Sequence, residues 1–474
     1  MKIAFLQETV NQNIGIMYLS ALLKQKGHEC ELFVKPLEKN NFLNAVTAYR
    51  PDIVGFSVMT GSHPWALHTA KRVKELLPSA FVIFGGPHPT YFPEVVQDPA
   101  IDGIARGEAE YSFPELAQRM QEGRDYLDVS GLWIKKNNAI YRNDVPMLVE
   151  DLSSLPHPDH LLYLKYVFFQ NQTEIPFSTT RGCPFTCAFC YNHAKAKLYK
   201  GKGHFVRTRN VDDCISEMKK ARTLYPRMRG VILQNDILGI DKKWVAEFSS
   251  LYADTIALPW FGSVRPDMID EDLVKKLSHA KCFCLSMGVE TGDEGLRERI
   301  LCKRIPNDKY ITASSLLHKY GIKVRTSNMF FLPGEDIEKA FMTVEFNRKM
   351  KTDFAWGYTL QPYPGTDIYE YSIKNGFLSS DFQFENIDPL GLTKYVIQVK
   401  DKNKIIVLHR LFQLAVRNNF VYGMLRFLVC IPPNPVFEMM YYYSLIVSYA
   451  EYHRVNMWRA TFIAWSNYKE TRNS

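Results

Sequence analysis

At 474 residues, 46% apolar and 23% charged, the chain is about three domains long and rich enough in apolar residues to bury several cores, which excludes a disordered or fibrous protein. Lys and Arg number 58 against 50 Asp and Glu, a formal charge of +8 with no long block of like charge, so a solvated surface and no nucleic-acid partner are expected. Residues 1–6 turn polar at Gln7 and Glu8, too early for a signal peptide, and the least polar stretches, 427–437 and 439–450, are too short to span a membrane. With Cys30, Cys214, Cys282, Cys284, Cys302 and Cys430 scattered without a disulfide rhythm, a cytoplasmic protein is expected.

Over the first 120 residues short apolar runs alternate with amphipathic stretches: 2–6 then 15–25, 30–34 then a polar helix, 53–57 then 65–76, 81–84 then 94–97, 101–105 then 111–120. Five such units predict an α/β domain over 1–125, a doubly wound parallel sheet. Ligands of these sheets bind beyond the carboxyl ends of the strands. Those ends carry Ser57, Thr60, Gly85, Gly86, His88, Gly107 and Glu108, and the small residues and hydroxyls among them let a large ligand approach the backbone. Residues 126–172 are expected to form a hairpin around Asn137-Asn138 and an extended linker through Pro156 and Pro158. From 173 to 370 the alternation resumes with runs at 177–180, 231–234, 260–264, 284–288, 323–331 and 355–360, which predicts a partial (β/α)6 barrel in preference to a second open sheet. Residues 371–474 read as mainly helical and aromatic.

The sequence Arg181-Gly182-Cys183-Pro184-Phe185-Thr186-Cys187-Ala188-Phe189-Cys190 follows the first of these barrel-like runs. Three soft thiolates on one short loop suit three irons of a [4Fe-4S] cube and leave the fourth iron open for chemistry. The competing reading is a structural zinc completed by His193. Zinc loops, however, usually present their ligands as two separated pairs.

Cys-x3-Cys-x2-Cys with Phe189 before the last cysteine resembles the radical S-adenosylmethionine (SAM) enzymes, and the domain order resembles their cobalamin-binding subgroup, over nearly the whole chain to about residue 370. The resemblance implies that Cys183, Cys187 and Cys190 hold the cluster, that SAM chelates the open iron, and that Phe189 belongs to the cofactor site. It places Gln234-Asn235-Asp236 near the SAM amino group, where the commoner Gly-Gly-Glu is missing, Arg265 near the SAM carboxylate, and Glu290 at the ribose hydroxyls. Ser57, Thr60, Gly85, Gly86, His88, Gly107 and Glu108 become cobalamin-site residues, although no Asp-x-His-x-x-Gly follows the first strand to supply a histidine to cobalt.

The implied activity is reductive cleavage of SAM to a 5'-deoxyadenosyl radical that takes hydrogen from a substrate, with methyl transfer from cobalamin to an unactivated carbon as the expected outcome. Electrons would come from an external one-electron donor such as a flavodoxin or ferredoxin. The subgroup also implies ring closure or carbon coupling on a tetrapyrrole or lipid-like substrate as an alternative. A zinc-stabilised RNA-binding or cobalamin-sensing protein is the alternative from another class. The aromatic C-terminal region, which includes Phe412, Phe420, Phe427, Tyr441, Tyr452, Trp458, Trp465 and Tyr468, is read as a helical core, with a lid over an apolar substrate at a membrane surface as the sharper alternative.

Overall fold

A computed structural model describes residues 1–383, 386–388 and 391–462. Its N-terminal sheet contains β1 (Lys2–Gln7), β2 (Glu29–Val34), β3 (Ile53–Ser57), β4 (Phe81–Gly85), β5 (Gly103–Ala105), β6 (Leu132–Lys136) and β7 (Ala139–Arg142). The strands run in the order β2-β1-β3-β4-β5-β6-β7, parallel from β2 through β5. Two apolar cores lie on its faces. One includes Phe5, Met17, Ile83 and Phe113, and the other Leu6, Val54, Phe84 and Ala70, because alternate residues of each buried strand point to opposite faces.

The expected hairpin is present, with Asn137 and Asn138 both in the left-handed region that a tight two-residue turn needs (φ 51° and 61°). It is not part of a free linker. β6 pairs antiparallel with β5 and extends the sheet, because Leu132 and Ile134 complete the apolar face above Ala117 and Val129. The helix expected at 94–97 is a 3-10 turn, Pro93–Gln97, preceded by a short helix, Pro87–Tyr91.

The second sheet consists of β8 (Glu174–Phe177), β11 (Gly230–Leu233), β12 (Trp260–Ser263), β13 (Cys282–Glu290), β14 (Lys323–Phe330) and β15 (Phe354–Thr359), in chain order and all parallel. A small antiparallel pair, β9 (Thr180–Arg181) with β10 (Arg207–Thr208), flanks the loop after β8. Along β14 the helix-facing Val324, Thr326, Asn328 and Phe330 are buried, whereas Arg325, Ser327 and Met329 on the inner face stay partly accessible. The inner face of the sheet therefore borders open space.

Helices Lys402–Arg417, Asn419–Leu428 and Pro435–Tyr452 form the C-terminal region. Phe412, Leu425 and Phe437 pack with Phe330, Phe341 and Ala355 in one core, so the region is fused to the outer side of the barrel. The end of the last helix closes the opposite pole from the cysteine loop: Tyr452 packs on Phe261, Phe354 and Trp356, and Trp356 Nε1 donates to Ser448 Oγ at 3.0 Å. This part of the region is a floor beneath the sheet and not a lid over its mouth. Phe420, Phe427, Tyr443 and Trp458 are exposed, and Trp465 and Tyr468 lie outside the described residues. Among the described residues no helix is long and apolar enough to cross a membrane.

Candidate functional site

The three cysteines occupy the turn between β9 and the helix Tyr191–Leu198, and all three are free thiols. The loop is pinned from several sides. Gly182 lies at φ 85° with Phe205 O only 2.0 Å from where a Cβ would stand, so no other residue fits before Cys183. Gly182 N donates to Asp236 Oδ2 at 2.7 Å, Ala188 N donates to Leu301 O at 2.9 Å, and Ile368 N donates to Ala188 O at 3.0 Å.

Burial pushes the Cys190 thiol up to about 11, and also raises Cys187 and Cys183, while Lys303 and Arg265 pull the latter two back. Among the described residues no three Cys, His, Asp or Glu side chains converge on one metal ion. His193 instead lies 3.2 Å from Asp367. A single zinc, with bonds of about 2.3 Å, requires convergence that this loop lacks, whereas a cube holds its three ligands apart. The donor set fits the cluster.

The remaining barrel residues fall into two groups. Asn235 and Asp236 brace backbone: Asn235 accepts from Thr179 N at 2.9 Å and donates to Thr179 Oγ1 at 2.8 Å, and Asp236 also accepts from Asn192 Nδ2 at 2.8 Å. Arg265 and Glu290 face the cysteine loop. The Arg265 guanidinium lies 3.5 Å over the Phe185 ring and is held by Asp267 through two bonds of 3.1 and 2.8 Å.

Glu290 sits where the register of β13 shifts, at φ 66°, and its Oε1 is 2.8 Å from Lys303 Nζ. Lys303 also donates to Gly288 O. A Cβ at Gly288 would lie 2.2 Å from Glu290 Oε1, so the glycine makes room for this ion pair. Sequence reasoning missed Lys303, which lies 13 residues beyond its partner with no local pattern to mark it. Phe189 packs on the C-terminal core beside Ala188.

Beyond the ends of β1, β3, β4 and β5 a cleft of about 320 Å3 runs between the sheet and the helices Ile14–Gln25 and Ser112–Gln121. Its inner part is apolar (Phe5, Ile83, Phe113) with Gly15, Gly55, Gly85 and Gly86 exposing backbone, and its mouth is formed by Ser178, Arg181, Lys195 and Gln234 of the second domain. A cradle of glycines with an apolar floor suits one limb of a large ring-bearing ligand such as cobalamin. Gln234 therefore faces this cleft, away from its neighbours Asn235 and Asp236. Ser57 lines the cleft and accepts from Asn13 Nδ2 at 3.1 Å.

His88 and Thr60 are buried beside the cleft, not in its lining. The His88 ring stacks on His63 at 4.2 Å, Thr60 Oγ1 lies 3.2 Å from His88 Nδ1, and burial together with His63 pushes the His88 imidazole down to about 3. No histidine is among the described residues lining the cleft.

Gly107 and Glu108 line the cleft and also serve the joint between domains. Glu108 N donates to Tyr199 Oη at 2.6 Å, and that hydroxyl occupies the space of a Gly107 Cβ. The Glu108 carboxylate meets Arg207 at 2.7 and 3.0 Å, Lys195 at 3.0 Å and Arg181 at 3.2 Å. Burial opposes its charge, but these cations hold the carboxyl well below the usual carboxylate range.

Comparison with known proteins matches residues 8–117 to the B12 binding domain and residues 177–346 to the Radical SAM superfamily. The chain is a cobalamin-binding radical SAM enzyme. It is 28% identical over 401 residues to an uncharacterized methyltransferase of Pyrococcus horikoshii, covering 82% of this chain and 84% of that one. It is 26% identical over 370 residues to the anaerobic magnesium-protoporphyrin IX monomethyl ester cyclase of Rubrivivax gelatinosus, covering 75% of this chain and 65% of that one. Its fold is similar to the radical SAM methyltransferase TsrM of Kitasatospora setae, solved with cobalamin and a [4Fe-4S] cluster, at 16% identity and a TM-score of 0.65 over 79% of this chain and 75% of that one. The two matched domains make cobalamin and SAM cofactors of this radical SAM enzyme, the three free cysteines of the second suit its [4Fe-4S] cluster, and the zinc-protein alternative is set aside.

Proposed function

We propose that this enzyme transfers a methyl group to an unactivated carbon of a small-molecule substrate held between the N-terminal cleft and the mouth of the barrel. The observation that carries this reading is the shared wall. The glycine-lined cleft of the first domain opens onto Ser178, Arg181 and Gln234 at the strand ends of the second, and the cysteine loop begins two residues beyond Arg181. Two cofactor sites thus border one space.

In this reading the thiolates of Cys183, Cys187 and Cys190 grip the cluster. Arg265, fixed by Asp267 and Phe185, offers a planar donor pair to the SAM carboxylate, and Glu290, oriented by Lys303, accepts from its ribose. Asp236 and Asn235 hold the loop on which those contacts depend. Ser57, Gly85 and Gly86 border the bound cobalamin. When bound, the cofactors supply reductive SAM cleavage and a methyl-carrying cobalt centre, chemistry beyond any side-chain base. An external ferredoxin- or flavodoxin-like protein supplies the electron.

The test is an oxygen-free assay of the reconstituted full chain with SAM, cobalamin, reductant and candidate substrates. Methyl transfer requires 5'-deoxyadenosine and S-adenosylhomocysteine together. The first product alone overturns methyl transfer and favours ring formation, which the similarity to the Rubrivivax cyclase makes the second reading.

A further inference from the structure

Deep on the inner face of the barrel sheet, the side chain of Arg325 has no carboxylate within ion-pair distance among the described residues. Its surroundings are aromatic and hydroxylic. The guanidinium lies 3.9 Å over the Trp356 ring and 5.1 Å from the Tyr452 ring centre, and Nη1 is 3.5 Å from Tyr452 Oη. Its Nε, buried, has no hydrogen-bond partner.

Arg325, Ser327, Trp356 and Tyr358 keep partial accessibility, whereas the helix-facing residues of the same strands are sealed. A cation withdrawn from water without a counter-ion is costly, and its neighbours could have supplied a carboxylate as they do for Arg181, Arg207 and Arg209 elsewhere in the chain. An unsatisfied cation that keeps partial accessibility marks a place where a ligand can bring the anion.

We infer that Arg325, framed by Trp356, Tyr358 and Tyr452, is the anchor for a carboxylate group of the substrate. The inference rests on the reading of the barrel as the substrate chamber and names the class of molecule it admits. Depth separates this anion from that of SAM. Arg325 lies five residues below the end of β14 at Phe330, roughly 16 Å along a strand rising about 3.3 Å per residue, whereas the cysteine loop stands beyond the strand ends. The substrate is thus an elongated acid, its carboxylate on the floor and its reacting carbon toward the mouth. A planar guanidinium suits a carboxylate through two parallel bonds, and the aromatic frame suits an apolar body attached to it.

The experiment is calorimetric titration of the reconstituted full chain, without reductant, using hexanoate, benzoate and indole-3-propionate, each beside its neutral primary amide and with phenyl phosphate as a further arm. At least one acid is expected to bind about tenfold or more tightly than its amide. Arg325→Gln abolishes that preference and Arg325→Lys keeps part of it. Iron content and melting temperature of both variants verify that the fold is retained.

Equal binding of acids and amides, binding of none, or an acid preference that survives Arg325→Gln would overturn the anchor. Stronger binding of phenyl phosphate than benzoate overturns the carboxylate class. Loss of SAM binding in Arg325→Gln equal to the loss of acid binding overturns the separation from the cofactor. Because the titration involves no turnover, a chain that fails to cleave SAM but keeps the acid preference sinks the proposed function and leaves the anchor standing.

Discussion

The joint between the two domains and the inner face of the barrel both bury charge, and they treat it in opposite ways. At the joint, Glu108 is surrounded by Arg207, Lys195 and Arg181, and Arg181 is shared with Glu110 at 2.5 Å. Every charge there has an opposite neighbour, so the cluster can lock the cleft against the barrel but has little left to offer a ligand. In the barrel Lys303 has the single carboxylate of Glu290, and Arg325 has none among the described residues. Saturated charge holds the two domains together, and unsaturated charge marks where a ligand can supply the missing partner.

The sharpest way to separate the two is to strip the site and leave the joint. Replacing Cys183, Cys187 and Cys190 together by Ala is expected to remove the cluster iron and abolish 5'-deoxyadenosine formation entirely, with the Glu108 cluster untouched. Iron analysis and product chromatography on the anaerobically reconstituted variant read both effects. Residual cleavage would place the site elsewhere in the chain.

The converse substitution breaks the joint. Glu108→Ala leaves Arg207, almost fully buried, without its carboxylate, and a loss of about 3–5 kcal/mol in unfolding free energy is expected. Glu108→Ala combined with Arg207→Met removes both charges and is expected to recover part of that loss in denaturant titration. Because its cations hold the Glu108 carboxyl below its ordinary range, the contribution is complete above that range and drains away as pH falls through it. A double variant no more stable than Glu108→Ala alone would mean that the pair acts through packing and not through charge.

This contrast also separates what was legible in the sequence from what was not. The alternation of apolar runs foretold both parallel sheets, since β1, β3 and β4 are buried on both faces and appear as near-continuous Val, Ile and Phe. The cysteine spacing is a local pattern and was equally plain. Glu108 stood out beside Gly107 as a strand-end residue, but its partners lie 73 to 99 positions away, and no periodicity links them.

For the same reason Lys303, Arg325 and the floor made by Tyr452 left no trace: each is defined by what it meets across the fold. The hairpin was visible through Asn137-Asn138, yet its attachment to β5 depends on edge pairing that turn chemistry does not encode.

A third buried carboxyl tests whether compensation truly decides the behaviour of such groups, and with a smaller expected effect. Glu335, in the turn between β14 and the helix Ile337–Lys349, is fully buried and accepts from Phe331 N at 2.5 Å and Leu332 N at 3.1 Å, while its Oε1 has no partner. The nearby Lys339 is bound to Asp336 at 2.6 Å and does not neutralise it. Burial therefore pushes the Glu335 carboxyl up to about 8, opposed only in part by the two backbone donors, and the group is protonated at neutral pH where Glu108 is ionised.

The pH dependence then has the opposite sign to that of Glu108. The contribution of Glu335 is complete below the ordinary carboxylate range and is lost as pH climbs toward about 8, because the unfolded chain releases the proton that the folded chain retains. Glu335→Gln keeps an acceptor for both backbone N–H groups and has no proton to lose. It is expected to match the parent protein near pH 4.5 and to exceed it by about 2–4 kcal/mol at pH 8. Denaturant titration at the two values measures the difference. Equal stability of the two proteins at pH 8 would show that Glu335 ionises in place, and that burial without a cation does not suffice to keep a carboxyl neutral in this turn.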